Sequence, residues 1–214
     1  MILYYIRHGD PIYDPDSLTP LGHRQAEAVA KRLSVYGIDR IFASTSNRAI
    51  LTAQPTSEIV KKKVELLDFA NEGHAWSDFS IVEENGRRTW AFFSSRFKEL
   101  FVSRRVSELD DKWYEHPEFK DFNFKSGVER VNREIDAWLE SLGYVHDREN
   151  RIYKAVAPTN ERIALFAHQG FGVSFLSSVL DIPYPLISTH FDMSHTGMTV
   201  INFEEENGPV EISE

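Results

Sequence analysis

Apolar segments of strand length alternate along the chain with longer segments in which apolar residues recur at helical spacing. The predicted strands end near four residues: Ile6, Ala43, Leu67 and Ala167. Helical spacing covers approximately residues 20–36, 48–62, 126–142 and 171–180. Strands that alternate with helices favour an α/β fold. We therefore expect a three-layer sandwich in which helices cover a mostly parallel central sheet.

Local signals indicate where two of these helices begin. Thr19 is a good N-cap residue, and Pro20 suits the first position of a helix. Ser126 is followed three residues later by Glu129, which is the spacing of a capping box. We therefore predict that one amphipathic helix begins after Thr19 and that another begins at Ser126.

The end of the chain shows a different pattern. Apolar residues at 198–203 and 210–212 flank Asn207-Gly208, a pair typical of hairpin turns. This pattern predicts antiparallel strands at an edge of the sheet.

Basic and histidine side chains follow three of the predicted strands. Arg7-His8-Gly9 comes directly after the apolar run of residues 1–6, Arg48 begins the second helix, and His168 follows the last of the four strands. The carboxyl ends of parallel strands face a common crevice. Arginine offers a planar fork of donors to phosphate oxygens, and neutral histidine offers a nucleophilic nitrogen. The pattern indicates phosphate chemistry at this edge of the sheet.

Four short motifs, in this order, resemble those of the histidine phosphatase superfamily, also called the phosphoglycerate mutase-like family. Its RHG motif is matched by Arg7, His8 and Gly9, and its second histidine by His168. Its motifs LTxxGxxQA and RAxxTA are matched by Leu18, Thr19, Gly22, Gln25 and Ala26 and by Arg48, Ala49, Thr52 and Ala53. The resemblance spans most of the chain. It implies phosphoryl transfer without a cofactor, and we expect no metal.

The chemistry of phosphate monoesters agrees with what the resemblance implies. Arg7, Arg48 and His168 would hold the phosphoryl group, and His8 would attack phosphorus to form a phosphohistidine that water hydrolyses. Attack requires one unprotonated ring nitrogen on His8, with the other held most simply by a backbone carbonyl near Gly9. We expect His168 to act instead as an imidazolium that stabilises negative charge on the phosphoryl oxygens.

The leaving alkoxide needs a proton, and the family places an acidic residue for this after the third strand. Here the candidates are Asp68 and Glu72. We favour Glu72, because its longer side chain reaches farther across a pocket, and we keep Asp68 as the alternative acid. The family's acid–Gly–Trp spacing is not reproduced here. His74 is also eligible, although a structural role fits it better.

A segment of about residues 84–125 resembles the family's variable cap insertion, so we expect one domain over residues 1–214 with a cap. Residues 87–105 hold six basic residues and a single acidic one, Glu99. One interpretation is a lid in which Arg87, Arg88 and Arg96 contact the substrate. The other is an amphipathic pair of helices whose aromatic residues pack into the core.

Residues 190–195 contain two histidines and an aspartate, but the segment shows no sign of the supporting contacts that metal ligands need. We expect structural histidines there. His195 is a possible secondary site residue, since in the family this segment passes beside the active-site sheet.

Composition bounds the remaining possibilities. The 214 residues include no cysteine, which excludes disulfides and thiol catalysis, and carry a formal net charge of −9, which argues against nucleic acid as a partner. No secretion signal and no bilayer-spanning apolar run is evident, so we expect a cytoplasmic protein without a membrane partner. The patterns leave the oligomeric state open.

The sequence therefore predicts a metal-independent phosphomonoester phosphatase that acts on a small phosphorylated metabolite through a phosphohistidine. The alternatives are a phosphoglycerate mutase-type phosphotransferase and a noncatalytic phosphate-binding regulatory module. The sequence Asp10-Pro11-Ile12-Tyr13 follows RHG where the mutase group has Glu-Ser-x-x-Asn, which favours hydrolysis.

Overall fold

Six strands form the central sheet in the computed structural model, which describes residues 1–213. The strands of this part of the chain are β1 (Ile2–Arg7), β2 (Pro11–Tyr13), β3 (Asp16–Leu18), β4 (Arg40–Ser44), β5 (Val64–Leu67), β6 (Ser80–Val82), β7 (Arg88–Trp90), β8 (Tyr144–Asp147), β9 (Ile152–Ala155), β10 (Arg162–Ala167), β11 (Met198–Asn202) and β12 (Glu211–Ser213). The α-helices are α1 (Pro20–Tyr36), α2 (Asn47–Val60), α3 (Glu72–Phe79), α4 (Ser95–Phe101), α5 (Arg104–Ser107), α6 (Phe124–Ser141), α7 (Gln169–Leu180) and α8 (Tyr184–His190).

The central sheet has the order β12-β11-β1-β10-β4-β5. Strands β1, β10, β4 and β5 are parallel, while β11 and β12 run antiparallel at one edge. Arg7 pairs in register with Ala167, and Ser44 pairs with Leu67. The carboxyl ends of the four parallel strands therefore meet at one edge of the sheet, and the predicted α/β class is confirmed.

Helices cover both faces of this sheet. In β1, Tyr4 and Ile6 pack with Leu33 of α1 on one face, while Leu3 and Tyr5 belong to the larger cluster on the other. A parallel strand covered on both sides is expected to be apolar at consecutive positions, as β1 is. Among the helices of residues 1–213, none combines the length and apolar character needed to cross a bilayer.

The predicted start of α1 is confirmed, whereas the capping box at Ser126 is wrong. The Thr19 side chain accepts the N–H of Gly22, with Pro20 in the first turn. Helix α6 begins two residues earlier than expected, at Phe124, and the Ser126 hydroxyl lies inside it and donates to the Asn123 carbonyl at 2.9 Å. Burial of the Phe124 ring fixes the first turn of α6, so packing outweighs the local capping signal.

The predicted antiparallel edge is confirmed in β11 and β12, but Asn207-Gly208 does not form a tight turn between them. The Asn207 side chain accepts the N–H of Ala155 at 3.0 Å, and Gly208 exchanges backbone hydrogen bonds with Tyr153. The pair thus attaches the connecting loop to the β8–β9 hairpin, a long-range contact that local sequence does not reveal.

Aromatic residues of the segment at about 84–125 pack into the main core. Phe97, Phe101, Trp113 and Phe119 are almost completely buried in one cluster with residues of the central sheet, and the Trp113 ring stacks on that of Tyr184 in α8. The interpretation that these aromatic residues belong to the core is confirmed.

Candidate active site

His8 lies where β1 ends, and its ring is buried. Its Nδ1 lies 2.7 Å from the carbonyl oxygen of Gly9, the backbone contact expected from the sequence. Burial, with a smaller effect of Arg48 and Arg7, lowers the pKa of His8 from 6.5 to about 3, although the Gly9 contact opposes this. The neutral ring therefore keeps its proton on Nδ1, where it donates to Gly9, and carries its lone pair on Nε2.

The loop after His8 is held by residues of the two helix motifs. The N–H of Gly9 donates to Thr52 Oγ1 at 3.0 Å, and the N–H of Asp10 donates to Gln25 Oε1 at 2.7 Å. Thr19 Oγ1 donates to the Asp10 carboxylate at 2.7 Å. The motif residues Thr19, Gln25 and Thr52 thus position the backbone that orients His8.

Two arginines bring positive charge to the same edge. Arg48, in the first turn of α2, contacts Asp16 through Nη1 at 2.8 Å and Glu72 through Nη2 at 3.0 Å. Arg7 donates to the carbonyl oxygen of Met193. In both arginines Nε is buried without a hydrogen-bond partner within residues 1–213. Buried donors without partners are costly, so these N–H groups suit an anion.

Glu72 opens α3 and is fixed at both carboxylate oxygens. Oε1 accepts the N–H of Gly170 at 2.9 Å, while Oε2 lies 3.0 Å from Arg48 and 3.6 Å from His168 Nδ1. Asp68 lies elsewhere: its side chain is 80% exposed and pairs with His74 at 3.2 Å. The structure thus brings Glu72, and not Asp68 or His74, to the two histidines.

His168 is completely buried beside His8, with ring centroids 5.2 Å apart. Its Nε2 lies 2.7 Å from Ser44 Oγ, while Nδ1 has no hydrogen-bond partner in the described chain. Burial, with Arg48, His8 and Arg7, lowers the pKa of His168 well below 6.5. Burial and three neighbouring groups thus favour a neutral His168 in this arrangement, and its role as an imidazolium on a bound phosphoryl group stays a prediction.

His195 also lies beside the His8 ring. The two ring centroids are 5.7 Å apart, and His195 Nδ1 lies 3.5 Å from Asp10 Oδ1. Partial burial and Arg7 lower the pKa of His195, although Asp10 opposes the shift. The structure therefore places this candidate at the edge of the site, and it does not bring it to Glu72.

Two of the three cap arginines contact other side chains, and the third is exposed. Arg88 Nε donates to Ser80 Oγ at 2.7 Å, Arg96 pairs with Glu118 at 2.7 Å, and Arg87 is exposed. The cap instead meets the site through Trp90, whose ring would lie 2.3 Å from a Cβ placed on Gly170.

Sequence reasoning missed Asp16 and Ser44. Asp16 lies in the β2–β3 hairpin. Its carboxylate pairs with Arg48 and accepts the backbone N–H of Asn47 at 2.7 Å. Ser44 ends β4, and its position at the carboxyl end of a parallel strand was a usable signal.

The chemistry of this site favours an anion. His8, Glu72 and His168 each have one possible metal-ligand atom, all within 4.8 Å of one another. The partly buried guanidinium groups of Arg48 and Arg7 act on His8 through their charge, which opposes a cation and stabilises a bound anion. The arrangement of an unprotonated His8 Nε2 beside these donors suits nucleophilic attack on a phosphoryl group.

Comparison with known proteins agrees with this chemistry. Residues 3–99 match the model of the family described as Histidine phosphatase superfamily (branch 1). No curated protein matches the chain.

Several solved structures share the fold over the whole chain. A phosphoserine phosphatase from Entamoeba histolytica, in complex with 3-phosphoglyceric acid, is 20% identical with a TM-score of 0.60, covering 100% of this chain and 96% of its own. A mycobacterial glucosyl-3-phosphoglycerate phosphatase complexed with VO3 is 16% identical with a TM-score of 0.61 and coverages of 100% and 97%. A putative alpha-ribazole-5'-P phosphatase from Escherichia coli is 18% identical with a TM-score of 0.62 and coverages of 100% and 94%.

The family match covers β1 through most of α4 and so includes the motifs around His8 and Arg48. The fold of the complete chain agrees with that of the solved phosphatases. The chain thus resembles the histidine phosphatase superfamily in sequence over residues 3–99, and it shares the fold of solved phosphatases.

Proposed function

We propose that the protein is a metal-independent phosphatase that hydrolyses small phosphomonoesters through a phosphohistidine on His8. One observation carries the proposal. The Gly9 carbonyl holds His8 Nδ1 at 2.7 Å, which leaves the Nε2 lone pair of a neutral ring beside two buried arginines. A nucleophile held in one tautomer next to phosphate-binding cations is the arrangement that covalent phosphoryl transfer requires.

The phosphoryl group would be held by donors that lack hydrogen-bond partners within residues 1–213. These are the Nε–H groups of Arg7 and Arg48 and Nδ1 of His168. Ser44 Oγ accepts the N–H of Ser46 at 3.3 Å, so its hydroxyl proton is free to donate to His168 Nε2. That contact puts the proton of neutral His168 on Nδ1, where it would donate to a phosphoryl oxygen. His168 would thus contribute to phosphate binding as a neutral donor.

The proposed hydrolysis has two steps. In the first, His8 Nε2 forms a bond to phosphorus, the bond to the ester oxygen breaks, and protonated Glu72 gives its proton to the leaving oxygen. In the second, water attacks phosphorus, Glu72 takes a proton from that water, and the bond between phosphorus and Nε2 breaks. His8 returns neutral, and the alcohol and inorganic phosphate leave.

The substrate class follows from the head group and the related phosphatases. Phosphoserine, 3-phosphoglyceric acid and glucosyl-3-phosphoglycerate appear with the structural neighbours. All are small phosphorylated metabolites, and the same class is proposed for this chain. Asp10-Pro11 after the RHG motif supports hydrolysis over the mutase-type alternative.

The test is release of inorganic phosphate from a panel of phosphomonoesters in the presence of a chelator. Wild type, His8→Ala and the surface variant His23→Ala are compared. We expect chelator-resistant release that His8→Ala abolishes and His23→Ala preserves. Transfer to an added alcohol in place of release would favour the mutase, and absence of both would favour a noncatalytic binding module.

A further inference from the structure

A cavity of about 210 Å³ is lined by Gln169 and Asp192, which are the chain neighbours of His168 and Met193. Its lining includes aromatic, cationic and polar side chains: Phe93, Lys98, Gln169, His190, Phe191 and Asp192. It has the size of a small organic group and not of a macromolecular interface.

The wall of this cavity is continuous with the residues that hold phosphate. Gln169 directly follows His168, and its side chain donates to Asp192 Oδ1 at 2.6 Å. Asp192 precedes Met193, whose carbonyl accepts Arg7. Gln169 and Asp192 thus connect the wall of this cavity to His168 and, through Met193, to Arg7.

The cap supplies the opposite wall. The Trp90 ring packs on Gly170, whose N–H holds Glu72, and stacks on Phe92 with centroids 5.5 Å apart. Phe92 in turn contacts Phe93 at 4.6 Å. A chain of aromatic contacts thus joins the proton donor to the cavity.

Two large apolar side chains face this cavity while remaining open to solvent. Phe93 is 53% exposed and Phe191 is 57% exposed, although most phenylalanines of the chain are buried. Exposed aromatic rings that share one concave site mark a surface that gains free energy by covering a flat apolar group.

The cavity is also lined by one acidic and one basic side chain, Asp192 and Lys98. The Asp192 carboxylate is engaged by the Gln169 side chain and by the N–H of Met193 at 2.7 Å. Lys98, on α4, is exposed and forms no ion pair within residues 1–213. Lys98 and Asp192 are therefore both without an ion pair within residues 1–213, and Lys98 is the one that suits a carboxylate or another anion.

We propose that this cavity binds the alcohol part of the substrate and selects phosphate esters of flat, apolar alcohols that bear an anionic group. Phe93 and Phe191 contact the ring, and Lys98 contacts the anion. This inference rests on the proposed function, since it assigns the leaving group of the same reaction. Under this proposal, Phe93 and Lys98 are the cap residues that select the substrate, in place of Arg87, Arg88 and Arg96.

The first test measures binding without turnover, in the His8→Ala variant, by calorimetry. The ligands are 4-carboxyphenyl phosphate, 4-carbamoylphenyl phosphate, which has the same shape without the charge, and ethyl phosphate. We expect the carboxyphenyl ester to bind about fivefold more tightly than the carbamoyl ester, as one partly exposed ion pair provides. Adding Lys98→Met should remove this difference, and the control Lys120→Met, also on the cap, should preserve it.

The ring contact is tested in the same background. Phe191→Ala should weaken binding of both aryl phosphates about fivefold and leave ethyl phosphate unchanged. Equal affinities for the three esters, or a charge preference that survives Lys98→Met, would overturn the proposed subsite.

Turnover separates the two proposals. If wild type hydrolyses the esters in a His8-dependent manner but shows no preference among them, the subsite is wrong and the phosphatase assignment stands. If the His8→Ala variant binds with the expected preference but wild type releases no phosphate, the subsite stands as a binding site and the catalytic assignment is wrong.

Discussion

Arg48 Nη2 lies 3.0 Å from Glu72 Oε2, so the proposed phosphate-binding cation and the proposed proton donor are in direct contact. The N–H of Gly170 fixes the other oxygen of Glu72 at 2.9 Å. The carboxyl group is thereby held between Arg48, which would bind the phosphoryl group, and His168, which would donate to it. A phosphoryl group bound by Arg48 would present its ester oxygen to Glu72.

Replacing Glu72 with glutamine tests this role. Glu72→Gln should lower kcat for ethyl phosphate by roughly 10²- to 10⁴-fold, because a poor leaving group needs a proton. The loss should be much smaller for 4-nitrophenyl phosphate, whose phenolate leaves without one. Steady-state rates for the two esters measure the difference.

Asp68→Asn is the matched control for this comparison. Its side chain is 80% exposed and lies on His74, away from the histidine pair. Both esters should be hydrolysed at the wild-type rate. Selective loss of ethyl phosphate hydrolysis in Asp68→Asn, and not in Glu72→Gln, would transfer the acid role to Asp68.

Two buried histidine side chains, those of His8 and His146, should change the free energy of unfolding with pH in opposite directions. The folded-state pKa of His8 is lowered to about 3, so between about pH 3 and 6.5 the unfolded chain binds the additional proton. This histidine therefore makes the fold less stable as pH falls through that window. His8→Gln should flatten the decline in the free energy of unfolding between pH 6.5 and 4.

His146 should show the reverse. Burial opposes its charge, but hydrogen bonds to Asp136 and Asp181 outweigh this and raise its pKa above 6.5. Its stabilisation is present below pH 6.5 and is lost as pH rises through the folded pKa. His146→Gln should therefore cost more stability at pH 5.5 than at pH 8.5 in urea unfolding. Equal losses at both values would contradict a protonated His146.

Close packing of two backbones explains the glycine of the first helix. A Cβ on Gly22 would lie 2.3 Å from the Asp10 carbonyl oxygen, in the loop that follows His8. We expect Gly22→Ala to destabilise the fold by about 1–3 kcal/mol, since neither backbone can move away without cost. Urea unfolding measures this. Gly208→Ala, where a Cβ meets no atom within 4 Å, is the control, and equal stability of the two variants would refute the packing explanation.

The aromatic residues of the cap should behave as core residues. Phe101 is completely buried among the rings of Phe97, Trp113 and Phe119, so Phe101→Ala should destabilise the protein by about 3–5 kcal/mol. Val102→Ala, at a neighbouring position that is 52% exposed, should have little effect. A small loss in Phe101→Ala would mean that the cap folds apart from the core.

The sequence predicts the parts of this site that depend on local structure. The parallel strands, the helix start at Thr19 and the contact between His8 and the Gly9 carbonyl all follow from residues close together in the chain. Such signals act within one element, and the capping signal at Ser126 failed where burial of Phe124 set the start of the helix instead.

Contacts between distant segments could not be predicted in this way. The pairing of Arg96 with Glu118 removes that arginine from the site, and the β2–β3 hairpin brings Asp16 to Arg48. The neutral form of His168 likewise depends on burial and on Arg48, Arg7 and His8, which come from the end of β1 and the start of α2. Such effects depend on tertiary packing, which apolar spacing specifies only in outline.

Capture of the phosphoenzyme tests the proposed phosphohistidine on His8 most directly. Wild type is mixed with 4-nitrophenyl phosphate, quenched within milliseconds and digested, and the peptides are analysed by mass spectrometry under conditions that preserve phosphohistidine. We expect one acid-labile phosphoryl group on the peptide that contains His8. It should form at least as fast as phosphate is released and be absent in His8→Ala. Phosphate release without any labelled His8, or label on another residue that survives in His8→Ala, would contradict this proposal.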